Sequence, residues 1–121
     1  MILKKDEILA TVPVLSKEEV FVPEWDGSVY VRVLRAGEKD ALEQKFTATK
    51  NKNFRARLVA AVVCDEHGGK MFSEADIVAL AQHSASALEP IITAAMRLNR
   101  WNKADLEELE KNSENGQYED S

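Results

Sequence analysis

Three side chains could begin acid–base, nucleophilic or metal chemistry near neutral pH: His67, His83 and Cys64. Imidazole titrates near neutrality and ligates metals, and a thiol becomes a nucleophile or soft ligand once deprotonated. Such groups act when they converge, and these share no motif. His67 lies in the turn Asp65-Glu66-His67-Gly68-Gly69, His83 near a helix boundary, and Cys64 at the end of an apolar run where a small buried hydrophobe serves equally well. The acidic turn opens like a calcium loop, but Lys70 stands where an EF-hand requires glycine and no glutamate closes it. Phosphate loops, dinucleotide glycine fingerprints, nucleophile elbows and zinc spacings are missing from the sequence. The residues predict no catalytic, metal or cofactor site, and a protein that is not an enzyme.

What remains is the chemistry of recognition, and it concentrates between Glu19 and Leu34. Two β-rich runs flank Asp26-Gly27, a dipeptide that tolerates the positive φ angles of a tight hairpin. With these as a two-residue loop, Val20 and Val22 share a face with Val29, Val31 and Val33, which must be core. The opposite face then sets Phe21, Pro23 and Trp25 across from Arg32, Tyr30 and Ser28. Phe21, Trp25, Tyr30 and Arg32 thereby form a candidate protein-binding surface, aromatic and basic, of residue types enriched at binding hot spots. Pro23 lacks an amide donor and suits an edge. A lone hairpin is marginal in water, so helices or another chain must cover at least one face.

The rest of the chain has helical spacing. An N-terminal arm, residues 1–16, holds a short helix at Asp6 to Ala10, docked through Ile8 and Leu9, with a turn at Val12-Pro13-Val14. Ala41, Leu42, Lys45 and Phe46 mark one helix; Phe54, Leu58, Ala61 and Val62 mark a second, stopped by the paired glycines at 68 and 69. A third starts at Ser73 as N-cap, with Asp76 at its third position and Phe72 stapled against Ile77. The fourth carries Leu88, Ile91, Ile92, Ala95 and Leu98. It starts either at Ser86, with Pro90 in its first turn, or at Ser84, with a bend at Pro90. The expected fold is α+β: one domain over 1–102, with a hairpin at 19–34 packed on about four helices in 37–99, then an acidic, largely disordered tail at 103–121.

Charge and composition constrain partners. A 45% apolar and 31% charged chain of 121 residues is large enough for its own core, and no apolar run reaches the roughly 20 residues of a membrane span. No export signal is seen at the N-terminus, and one cysteine cannot form an internal disulfide, which points to the cytoplasm. Net charge is −5, but residues 1–60 carry eleven basic and nine acidic groups while residues 61–121 carry five and twelve. Opposite-signed halves permit head-to-tail self-association or an acidic or basic partner. The basic run Lys45, Lys50, Lys52, Arg55 and Arg57, with Phe46 and Phe54, has the composition of a single-strand nucleic-acid site; both phenylalanines fall where helices need core residues, so nucleic acid is not the expected partner.

Read in order, Glu18-Glu19-Val20-Phe21-Val22-Pro23-Glu24-Trp25-Asp26-Gly27-Ser28-Val29-Tyr30-Val31-Arg32-Val33-Leu34, then Gly37-Glu38-Lys39-Asp40, resembles the tail assembly chaperones of long-tailed, siphophage-type bacteriophages. Arg57-Leu58-Val59, Cys64-Asp65-Glu66-His67-Gly68, Met71-Phe72-Ser73-Glu74-Ala75-Asp76, and Ser84-Ala85 through Ala94-Ala95-Met96-Arg97-Leu98-Asn99 follow in the same order. The likeness covers roughly residues 5 to 100, and the ordered set carries it, since no single piece is diagnostic.

The resemblance implies a non-catalytic protein of the host bacterial cytoplasm, absent from the mature virion. It would bind the tape measure protein and promote tail tube assembly, as a homo-oligomer. In that family a longer frameshifted product often recruits the tail tube protein, and here the extension would branch from the tail between Glu107 and Ser121. Two other classes stay open: a structural tail completion or connector protein retained in the virion, and a nucleic-acid-binding regulator using Lys45 to Arg57.

Overall fold

Pro23 decides where the sheet turns. Its ring fixes φ and removes an amide donor, so the first strand ends at Val22; Pro23–Trp25 then form a 3₁₀ turn, with Asp26 left-handed at φ 48°. The computed structural model describes residues 1–12, 15–107 and 110–111. Strands β1 (Lys17–Val22) and β2 (Gly27–Arg32) pair antiparallel, with Val20 opposite Val29 and Val22 opposite Gly27. The loop is therefore Pro23 to Asp26, not the expected Asp26-Gly27 pair, and the register moves by four residues. An even shift preserves the faces, because side chains alternate with period two. Val22 and Val31 are fully buried, and Val20 and Val29 pack against the same core. Val33 departs from the expectation: it lies beyond β2, half-buried, its N–H donating to the Ser16 carbonyl at 3.0 Å.

A third strand, unforeseen in the sequence, completes the sheet. Helix α3 ends at Val62, and the β-branched Val62-Val63 pair leads straight into β3 (Val63–Cys64), which sets Cys64 opposite Tyr30 and Val63 opposite Val31. The sheet order is β1-β2-β3. The turn after it is held by Asp65, whose carboxylate accepts the His67 and Gly69 N–H groups at 2.8 and 2.9 Å, while Gly68 takes φ 83°. These amides, Gly69's first, hold the Asp65 carboxyl below its ordinary range.

The chain begins with α1 (Lys5–Ala10) and, after the hairpin, continues through α2 (Ala36–Ala48), α3 (Phe54–Val62), α4 (Ile77–Leu80) and α5 (Ala85–Leu98). Helix α5 packs on both long strands and on α3. Its Leu88, Ile91, Ile92 and Ala95 are buried as their spacing predicts, and Leu98 sits partly buried beside them. Ser84 caps it, accepting the Ala87 N–H at 3.1 Å, so Pro90 lies inside the helix. Asn99 fastens its far end: Oδ1 accepts the Leu34 N–H at 2.8 Å, and Nδ2 donates to the Ala95 carbonyl at 2.9 Å. Phe46 and Phe54 stack at 4.3 Å between α2 and α3; burying such a ring fully contributes about 1.5–3 kcal/mol. Before α4, Asp76 accepts the Ser73 N–H at 2.8 Å and Phe72 packs against the cluster holding Ile77.

The two ends differ from expectation. Every residue of α1 is exposed, Ile8 and Leu9 at 55% and 73%, so they do not anchor the arm among the described residues as expected. At the other end residues 103–107 and 110–111 are helical, and Leu106 packs on the core, which carries the packed part past residue 102. The turn expected at Pro13 and the disordered tail expected beyond Lys111 lie outside the described residues. The architecture is α+β, a three-stranded antiparallel sheet covered on its valine face by α5.

Candidate protein-binding surface

The four residues expected to form one binding face divide into two pairs. Phe21 is 56% exposed on the sheet face turned away from α5, and Tyr30 lies half-buried on that face with the Lys17 ammonium 5.5 Å from its ring centre. Ser28, opposite Phe21, and Glu19, opposite Tyr30, complete a small aromatic patch with a polar surround. These two rings remain available to a partner.

Arg32 and Trp25 do not. Arg32 is only 7% exposed: Nη1 pairs with Glu38 at 2.8 Å, and Nη2 and Nε donate to the Ala61 carbonyl at 3.0 and 3.3 Å. Burial pushes the Glu38 carboxyl up, but the Arg35 N–H and the Arg32 charge outweigh it and hold it below the usual range. Arg32 has the local look of a surface cation because its partners lie six and 29 residues away. Trp25 sits in the turn rather than on a strand, packs against the core, and donates its indole N–H to His83 Nδ1 at 3.2 Å. Glu24 beside it accepts the Ser84 and Ser86 hydroxyls, which lower its pKa. Turn and helix cap are thus locked together, and His83 is spent on that lock.

The basic run fares similarly. Arg57 is 6% exposed and bonded to Glu74, and Phe46 and Phe54 stack on each other inside the core, which leaves no aromatic platform for bases. Cys64 is fully buried and burial pushes its thiol up. Among the described residues, no group of three or more His, Cys, Asp or Glu side chains could hold a metal ion, and no helix is long and apolar enough to cross a membrane.

Two further features lie outside the four residues expected to bind. Met1, Ile2, Leu3, Ile8, Leu9 and Val12 are all more than half exposed along the N-terminal arm. On the far side of α5, a groove of about 650 Å³ runs between α3, α5 and the C-terminal helical segment. That segment is set by Asn102 and Asp105, each accepting the other's N–H at 2.7 and 2.9 Å, with Trp101 and Leu106 flanking them as an apolar pair against the core. Trp101-Asn102-x-x-Asp105-Leu106 is a capping box inside a hydrophobic staple, a signal that was present in the sequence.

The described residues thus leave apolar elements exposed, and the sequence match supplies the family. The family described as phage tail assembly chaperone matches residues 4–112. The chain belongs to the phage tail assembly chaperone family. In three dimensions it is similar to the tail assembly chaperone of bacteriophage HK97, at TM-score 0.59 and 21% identity, over 78% of this chain and 90% of that one. At that identity the structural likeness carries the fold, and the family rests on the sequence match. Curated proteins give no match to the sequence.

Proposed function

We propose that this phage tail assembly chaperone binds the tape measure protein and promotes tail tube assembly around it, without catalysis. It works in the host bacterial cytoplasm, as a homo-oligomer, and is absent from the mature virion; a longer frameshifted product would recruit the tail tube protein. The observation that supports this most is the apolar surface left open by the fold: Phe21 on the free sheet face and Ile2, Leu3, Ile8, Leu9 and Val12 on the arm. An extended helical client exposes apolar stripes of its own, and large exposed apolar patches mark interaction sites.

Co-expression with the tape measure protein of the same genome, followed by pull-down and a mass of the complex from light scattering, tests the reading. Soluble complexes with many copies per client are expected. Absence of any complex, together with this chain in purified virions, would replace it with a retained connector or completion protein.

A further inference from the structure

We infer that copies join head to tail, the N-terminal arm of one chain lying in the groove between α3, α5 and the C-terminal helical segment of the next. The self-association in the proposed function is the premise; the interface is the addition.

The arm needs a surface. A helix of six residues does not hold itself together in water, since nucleation costs more than so few hydrogen bonds return. Ile8 and Leu9 sit on it, with Leu3 and Val12 just beyond its ends, all exposed. Among the described residues nothing of its own domain buries it, although β1 begins only seven residues after α1 ends.

The groove is the complementary half. Its walls are Phe54, Leu58, Ile92, Met96, Trp101 and Leu106, and its volume falls within the about 300–1,000 Å³ of clefts that bury a ligand. Methionine adapts its shape to an apolar guest. Its charged lining mixes both signs, Glu89, Glu107 and Glu110 with Arg55, Arg97 and Lys103. The arm presents matching signs in sequence, Lys4 and Lys5 followed by Asp6 and Glu7. Arm and groove are different surfaces of one molecule, so each joined pair leaves one arm and one groove free. Such a contact propagates until a ring closes or an end is capped.

The test uses the full chain. Ile8→Asp with Leu9→Asp alters the arm, and Thr93→Arg, at an exposed position lining the groove, obstructs it. Circular dichroism checks that both remain folded. Sedimentation across a concentration series should show species above one copy for the parent and loss of them in each variant. Equal mixing of the two variants should restore pairs and nothing larger, because one good arm then meets one good groove. Variants that keep the parent's mass, or a mixture that stays at one copy, would overturn this interface while the self-association reading stands. A parent that is a single copy throughout would overturn both. A second measurement pairs Leu9→Cys with Met96→Cys: oxidation should give a ladder of linked chains, whereas a link within one chain would overturn the exchange between copies. Cys64, fully buried, does not compete.

Discussion

One guanidinium nitrogen of Arg57 reaches both carboxylate oxygens of Glu74, at 2.8 and 2.7 Å. The Arg57 side chain is 8% exposed and the Glu74 side chain 59%, so the cost of separating them is lopsided. Glu74→Ala leaves a buried charge without its carboxylate and should lower unfolding free energy by about 2–3 kcal/mol. Arg57→Met fills similar space, frees a carboxylate that is already wet, and should cost less than about 1.5 kcal/mol. Urea titration of the two variants checks the order; equal losses would mean the pair is not acting as a buried charge and its anchor.

Acid should act through the carboxylates that folding holds low. Glu74 is lowered first by its Arg57 bond, Asp65 by the Gly69 and His67 amides, and Glu38 by Arg35 and Arg32 against burial. A group with a depressed folded pKa stabilises the fold above its unfolded pKa, and that contribution is lost as pH falls through the folded value. Thermal stability should therefore hold from neutrality down to about pH 5 and fall below about pH 4, where free carboxyls titrate. Melting curves of Glu38→Gln and Glu74→Gln should show a shallower acid limb than the parent; an unchanged limb would remove these groups as its cause.

On the free sheet face, Phe21→Ser with Tyr30→Ser should weaken capture of the tape measure protein while changing stability by no more than about 1 kcal/mol, since neither ring is fully buried. Arg32→Ala is the contrasting variant. It removes an ion pair and two hydrogen bonds from a buried position and should cost about 2–4 kcal/mol, so any loss of capture there reports unfolding. Pull-down and urea titration on the same samples separate the two effects. Full capture by the double serine variant would take this face out of the binding surface.

At the C-terminal end, Asn102→Ala should cost about 1 kcal/mol, the usual worth of a cap, and loosen the segment that Leu106 anchors. With Trp25→Phe as background, Trp101 is the remaining tryptophan, and its emission should move to longer wavelength as the pocket opens. An emission spectrum identical to the background would mean the staple holds without its cap.

How much of this was legible follows from what local patterns encode. The valine face was readable because alternation survives any even shift in register, while the loop was not, because Pro23 ended β1 before Asp26-Gly27 could form the turn. The stripe on α5 and the Ser73–Asp76 turn that leads into α4 were readable from spacing alone. Arg32 and Arg57 read as solvated because the carboxylates that neutralise them are close in space but not in sequence. Ile8 and Leu9 look like anchors because apolar residues on a short helix commonly mark its buried face, whereas here both are exposed, which local spacing does not encode. Of the four expected binding residues, Phe21 and Tyr30 stayed at the surface; Trp25 and Arg32 were drawn into the framework.

The place of β1 at the start of the sheet order bears on crowding. Its outer edge offers unpaired backbone groups, the template from which sheets grow between molecules. A parallel copy in register would stack Glu18 on Glu18 and Glu19 on Glu19; an antiparallel copy centred on the strand would face Glu19 with Val20 and Glu18 with Phe21. Pro23 then withholds a donor just past the strand's end. Both alignments are penalised, so this edge resists the strand-to-strand pairing by which hairpins of separate molecules fuse into fibres.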